Sequence, residues 1–188
     1  MMRNLGILCA LLILGGIYTF WSDFSTTPTA ATDIAPQEVR QHETVPSFTF
    51  EDLKGKKHGI EDYKGKVIVL NFWATWCAPC VVEFPAMIKL AEIQKDNAVF
   101  IFLSIDDNKE DIARFIKRHA SSPPQNVVVG WDVNKTVSQD LFQTVKVPET
   151  YIIAPDLKVA DKIVGSDVEW TSEDVQQKIN TLYRARSM

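Results

Sequence analysis

The chain has 188 residues, 46% of them hydrophobic and 23% charged, with a formal net charge of −4. That length holds one ordinary domain and an extra segment, and the composition excludes a chain disordered along its length. The acidic balance and the scattered lysines and arginines leave no footprint for nucleic-acid binding.

Arg3 precedes an uncharged, mostly apolar run from Leu5 to Trp21, about 17 residues long, and Asp23 follows it. Such a run is near the lower limit for crossing a bilayer and long for a signal-peptide core. A cation before it and an acid after it orient its amino end inside, exporting everything downstream. No small-x-small cleavage site stands just after Trp21, so residues 1–24 are expected to be an uncleaved signal anchor. Cleavage would instead leave a soluble exported protein. Cys9 reads as a small residue buried in that run. Residues 25–43, rich in Thr, Ala, Pro and Gln without periodicity, read as a flexible linker. The folded domain then occupies residues 44–188.

Ser47 to Phe50 alternates polar and apolar side chains, and Lys54-Gly55-Lys56 is a turn, which predicts a β-hairpin ending near Ile60. Val67 to Trp73 is a continuous apolar run suited to a central strand covered on both faces. From Val81 to Lys95, Phe84, Met87, Ile88 and Ala91 follow helical spacing. Val99 to Ile105 is a second buried strand. Asn108 caps a helix whose apolar side is Ile112, Phe115, Ile116 and His119. A loop at Ser121 to Pro124, a strand at Val127 to Trp131 and a short helix from Lys135 to Phe142 follow. Thr150 to Ala154 and Lys158 to Val164 read as strands joined by a turn at Pro155-Asp156. A last helix starts at Thr171 to Asp174 and carries Val175, Ile179, Leu182 and Tyr183 on one side. This alternation predicts an α/β domain, a mixed sheet with helices on both faces.

The chemistry concentrates where the first buried strand meets its helix, in Trp73-Ala74-Thr75-Trp76-Cys77-Ala78-Pro79-Cys80. Two cysteines separated by two residues at a strand-to-helix turn can cycle between dithiol and disulfide, the first thiol at the positive helix end. Three cysteines in all are too few for a disulfide framework. On spacing alone a static disulfide stays open. A zinc knuckle would need a second cysteine pair or histidines at ligand spacing, which His42, His58 and His119 lack, so no metal is inferred. The acidic pair Asp106-Asp107 reads as a solvated strand end.

The block Asn71-Phe72-Trp73-Ala74-Thr75-Trp76-Cys77-Ala78-Pro79-Cys80, the acid at Glu83 and Val147-Pro148-Glu149-Thr150 before a strand, about 70 residues on, resemble the thioredoxin superfamily. Within it the chain is similar to membrane-anchored, TlpA-like and ResA-like proteins of the cytochrome c maturation type. The resemblance runs from about Val45 to the carboxyl terminus. It implies a thioredoxin-like fold with an amino-terminal β-hairpin and a central insertion.

By that resemblance Cys77 is the nucleophile and Cys80 the resolving thiol, and no cofactor is needed beyond the redox-active pair. Pro79 suits the first helical turn. The resemblance also makes the Val147–Pro148 bond cis and has it present the preceding backbone to an extended substrate. Lys146 stands just before it, in a stretch lacking the glycine common in relatives. Asn71 takes the place of a buried carboxylate in cytosolic thioredoxins, and Glu83 is the substitute acid on the helix face of Cys80. Trp73 is expected in the core and Trp76 as a partly exposed wall offering apolar contact to a partner.

The function implied is a thiol–disulfide oxidoreductase tethered outside the cytoplasmic membrane, on the periplasmic side. It would reduce disulfides in exported proteins such as apocytochrome c, supplied by a membrane electron donor of the thiol-reductase type. A disulfide oxidase or isomerase of the same fold is the alternative, and a non-enzymatic binding module the reading of a different class. A thiol peroxidase carries Thr or Ser three residues before its cysteine, where this chain has Ala74. Copper-delivery relatives have a wider cysteine spacing and a downstream histidine.

Overall fold

The computed structural model describes residues 40–186, so the apolar amino-terminal run and most of the expected linker lie outside the described residues. Among the described residues no helix is long and apolar enough to cross a membrane.

The chain folds in the order β1 (Thr49–Asp52), β2 (Lys57–Gly59), β3 (Val67–Trp73), α1 (Ala78–Ile93), β4 (Ala98–Ser104), α2 (Lys109–His119), β5 (Val127–Trp131), β6 (Glu149–Ile153), β7 (Val159–Val164) and α3 (Glu173–Ala185). The seven strands make one sheet in the order β2-β1-β5-β4-β3-β6-β7. β3, β4 and β5 run parallel, while β1 pairs antiparallel with β5 and β6 with β3. This is the mixed sheet of a thioredoxin-like α/β fold.

Alternation along the two central strands explains their unbroken apolarity. Val67, Val69 and Trp73 of β3, with Phe100 and Phe102 of β4, face a layer made by Phe84, Met87 and Leu90 of α1, Ile112 and Phe115 of α2, and Ile179 of α3. Ile68, Leu70 and Phe72, with Ile101 and Leu103, face the other way, against Phe48, Phe50, Phe142 and Tyr151. That second face is closed by short helical turns at Ile60–Tyr63 and Val133–Leu141 rather than by long helices.

Local chemistry sets the turns. Asp52 Oδ1 accepts the backbone N–H groups of Lys54 and Lys56 at 2.8 and 2.9 Å, and Gly55 adopts φ +82°, closing the expected hairpin. Gly130 lets the Phe50 ring lie on β5, since a Cβ there would stand 2.5 Å from that ring. The expected helix at 135–142 is a wide turn over Thr136–Leu141. Buried Asp132 starts it by accepting from Val137 N and Ser138 N at 3.1 and 2.7 Å. His119, expected on the apolar side of α2, is exposed, though its ring stacks on Phe115 at 4.3 Å.

Candidate active site

The site forms where the carboxyl ends of the parallel strands open, the end at which α/β sheets place their chemistry. β3 ends at Trp73, which is buried against Phe84 and Phe115 with ring centroids 5.4 and 5.0 Å away. Ala74, Thr75 and Trp76 then turn the chain, and Cys77 N–H closes the turn on the Ala74 carbonyl at 3.2 Å. Cys77 is the N-cap of α1, so the helix begins at Ala78, three residues before the apolar spacing suggests. Cys80 N–H donates to Cys77 Sγ at 3.3 Å, and Pro79 sits where no helical N–H is needed.

Cys77 and Cys80 are joined in a disulfide with Cα atoms 5.3 Å apart. Both are buried, and Cys77 is the more open, 5% exposed against 2%. Cys77 Sγ lies 3.6 Å from the carbonyl oxygen of Val147, and the Val147–Pro148 peptide is cis, as the resemblance implied. Gly165 N–H holds the Pro148 carbonyl at 2.9 Å. Trp76 stands 65% exposed beside the sulfur pair. The geometry brings Trp76, Cys77, Pro79, Cys80, Val147 and Pro148 to one place.

Glu83 lies on the inner face of α1, one turn beyond Cys80, and is buried. Its Oε1 accepts from Asn71 Nδ2 at 3.3 Å and its Oε2 from Trp170 Nε1 at 3.1 Å. Asn71 also donates to Thr150 Oγ1 at 2.8 Å, linking β3 to the strand that follows Pro148. Burial pushes the Glu83 carboxyl above the usual carboxylate range, because a charge away from water is unfavourable. The bonds from Trp170 and Asn71 pull it partly back.

One sequence expectation is corrected here. Asp106 is not a solvated strand end: it is 4% exposed, while its neighbour Asp107 does face solvent. Asp106 Oδ2 accepts from Thr75 N at 2.9 Å and Ser104 Oγ at 2.6 Å, and Oδ1 from Thr75 Oγ1 at 2.6 Å. Its position at the carboxyl end of a parallel strand next to β3 was the available signal. Two further residues carried no signal. Trp170 is a lone aromatic in a polar loop, yet it is buried and reaches Glu83. Glu149, directly after Pro148, is 1% exposed and accepts from Thr144 Oγ1 and Tyr151 Oη at 2.8 and 2.9 Å, with Lys162 Nζ at 3.4 Å.

Similarity to known proteins agrees with this geometry. The AhpC/TSA family profile matches residues 42–162. The chain belongs to the AhpC/TSA family. A thiol-disulfide oxidoreductase ResA from Geobacillus thermodenitrificans is 31% identical over 182 residues, 96% of this chain and 94% of that protein. A ResA from Bacillus thuringiensis subsp. konkukian is 35% identical over 136 residues, 71% of this chain and 75% of that protein. The solved thioredoxin domain of a thiol-disulfide oxidoreductase from Bacteroides vulgatus superposes with a TM-score of 0.65 at 21% identity, covering 78% of this chain and 99% of that domain, which is a likeness of fold. This AhpC/TSA-family chain is a thiol–disulfide oxidoreductase of thioredoxin-like fold.

Proposed function

We propose that the protein is a membrane-tethered reductant of disulfides in exported proteins, with apocytochrome c as the leading candidate client. The observation that carries this reading is the sulfur pair itself. Cys77 lies beneath the Val147 carbonyl at a helix amino terminus, with the more deeply buried Cys80 behind it. A protein client fits the surroundings better than a small thiol. Among the described residues, five of the six exposed large apolar side chains, Trp76, Val82, Val133, Val145 and Val164, stand at the end of the sheet that holds the cysteines.

In the reducing direction the pair starts as a dithiol. Cys77 thiolate attacks one sulfur of the client disulfide, that S–S bond breaks, and the departing client thiolate takes a proton. Cys80 then gives up its proton and attacks Cys77 Sγ. The mixed disulfide breaks, the client leaves as a dithiol, and two electrons have passed from this chain to the client. Glu83, beside Cys80 on the helix, is the candidate acceptor of that proton, its burial leaving it readier to hold one than a surface carboxylate. The sulfurs serve as the redox group, with no bound cofactor. A membrane dithiol donor restores the starting state, and tethering raises its effective concentration.

The tether is supported by the apolar run between Arg3 and Asp23 and by the match to one ResA over 96% of the chain. A location on the outer side of the membrane is supported by the cation, Arg3, standing ahead of that run.

The test is the full-length Cys80→Ala chain in its native host, where resolution stalls. Exported proteins with a cysteine pair are expected as adducts through Cys77, lost on adding dithiothreitol and absent from Cys77→Ser. Absence of such adducts would overturn the reading. A reduction potential near that of strong thiol oxidants, about −120 mV, would assign the oxidase direction instead. Loss of insulin reduction in Cys77→Ser separates an exchange catalyst from a binding module.

A further inference from the structure

We propose that Asp106 is a positioning residue for the redox pair, holding the Thr75–Trp76 turn that seats Cys77 at the head of α1 and setting a fixed negative charge behind it. The proposal rests on Cys77 being the attacking sulfur, which Cys77→Ser tests separately.

The carboxylate is built into the turn from three sides. Thr75 offers both its backbone N–H and its hydroxyl, and Ser104 offers its hydroxyl, so both oxygens act as acceptors, as an ionised carboxylate does. The Asp106 backbone is held as well: its N–H donates to Ser104 Oγ at 3.0 Å and its carbonyl accepts from Trp131 Nε1 at 2.7 Å. Thr75 is two residues before Cys77, in the turn closed by Cys77 N–H on the Ala74 carbonyl. Movement of Thr75 therefore passes to both Trp76 and the N-cap. A surface acid could not do this, since exposed polar contacts are individually weak. Asp106 spends its contacts where burial makes them count.

The second consequence is electrostatic. A thiolate at Cys77 is favoured by the unpaired N–H groups of α1, and a fixed negative charge nearby opposes it. Other charged or titratable groups near the cysteine turn are Cys80 and buried Glu83 from α1, exposed Lys146 from the loop before β6, buried Glu149 just after Pro148 with Lys162 at 3.4 Å from it, and Asp107 from the loop after β4. Asp107 is paired with Lys135 at 3.0 Å in the open, where solvent screens it. Asp106 is the charge bonded directly into the cysteine turn.

The test compares Asp106→Asn with Ser104→Ala in the full-length chain purified in detergent. The first removes the charge in an isosteric group. The second removes both bonds of the Ser104 hydroxyl to Asp106, one to the carboxylate and one from the backbone N–H, and leaves both the charge and the Thr75 contacts. Alkylation rate against pH reads the Cys77 thiol, and equilibration with glutathione reads the potential. Asp106→Asn is expected to lower the Cys77 pKa enough to raise the thiolate fraction roughly threefold or more below it. Its potential should rise relative to the parent as pH increases, by about 30 mV for each tenfold gain in thiolate. Ser104→Ala is expected to lower thermal stability alone. If both variants only lose stability, with the alkylation profile and potential of the parent, the proposal is overturned. Should Asp106→Asn fail to fold, Thr75→Val carries the test, and an alkylation profile superimposable on the parent's overturns it equally.

Discussion

Replacing Glu83 by Gln changes one buried charge and almost no volume, so its effect should depend on pH more than on packing. In the parent the two carboxylate oxygens each take one donor, Asn71 Nδ2 and Trp170 Nε1. Gln has one acceptor oxygen and one NH₂ group. Trp170 can only donate, so the oxygen goes to it, and the new NH₂ meets the Asn71 amide, which must turn or lose a bond. An unpaired buried donor costs about 1–3 kcal/mol, and a turned amide brings the cost to the lower end. Against this stands the charge. Burial raises the folded-state carboxyl above its unfolded value near 4.3, so the folded chain binds the proton more tightly. The stabilising proton is fully present below the unfolded value, and its contribution disappears as pH climbs through the folded one. Between the two the parent loses up to about 1.4 kcal/mol per pH unit from this group. Glu83→Gln lacks that slope. The variant should therefore be less stable than the parent near pH 4 and gain on it as pH rises. Urea denaturation of the oxidised full-length protein at half-unit steps from pH 4 to 9 measures the difference directly, because the other titrating groups cancel. A difference that stays constant across the range would refute the burial argument, and the proton-accepting role would fall with it.

Trp170→Phe removes the indole donor and should raise the Glu83 carboxyl further. Its destabilisation, about 2–3 kcal/mol, should be larger at alkaline than at acid pH because the lost bond served the ionised form. A pH-independent loss in urea unfolding would contradict this. Gly130→Ala would set a Cβ 2.5 and 2.9 Å from the Phe50 ring and 3.0 Å from Leu103 Cδ1, overpacking the contact between β1 and β5. A loss of about 1–3 kcal/mol in thermal or urea unfolding is expected, and unchanged stability would show that the hairpin gives way freely.

The parts of the fold that could be read from the chain were those fixed by local pattern. The central strands showed because β3 and β4 are covered on both faces, leaving no polar positions to blur the run except Asn71 and the terminal Ser104. The disulfide turn showed because its residues are contiguous. Apolar spacing alone begins α1 at Val81, because its first turn holds Ala78, Pro79 and Cys80; that turn was legible instead from Pro79 and from the cysteine at the helix end. What stayed hidden is long-range. Asp106 sits beside Asp107 in sequence, and nothing local distinguishes the acid that turns inward to Thr75 from the one that faces water. Trp170 meets Glu83 across 87 residues, a contact that exists only after β7 has returned the chain to the mouth of the sheet. Nothing local marks Glu149 as buried, since Thr144, Tyr151 and Lys162 converge on it only in the fold.

The indoles of Trp73 and Trp76 sit just ahead of the bonded sulfurs, one sealed in apolar packing and the other in water. Disulfides extinguish the emission of neighbouring indoles, so opening the bond should brighten the intrinsic fluorescence of this protein. The molecule thus carries a built-in optical gauge of its own oxidation, readable in a stopped-flow cuvette without a label.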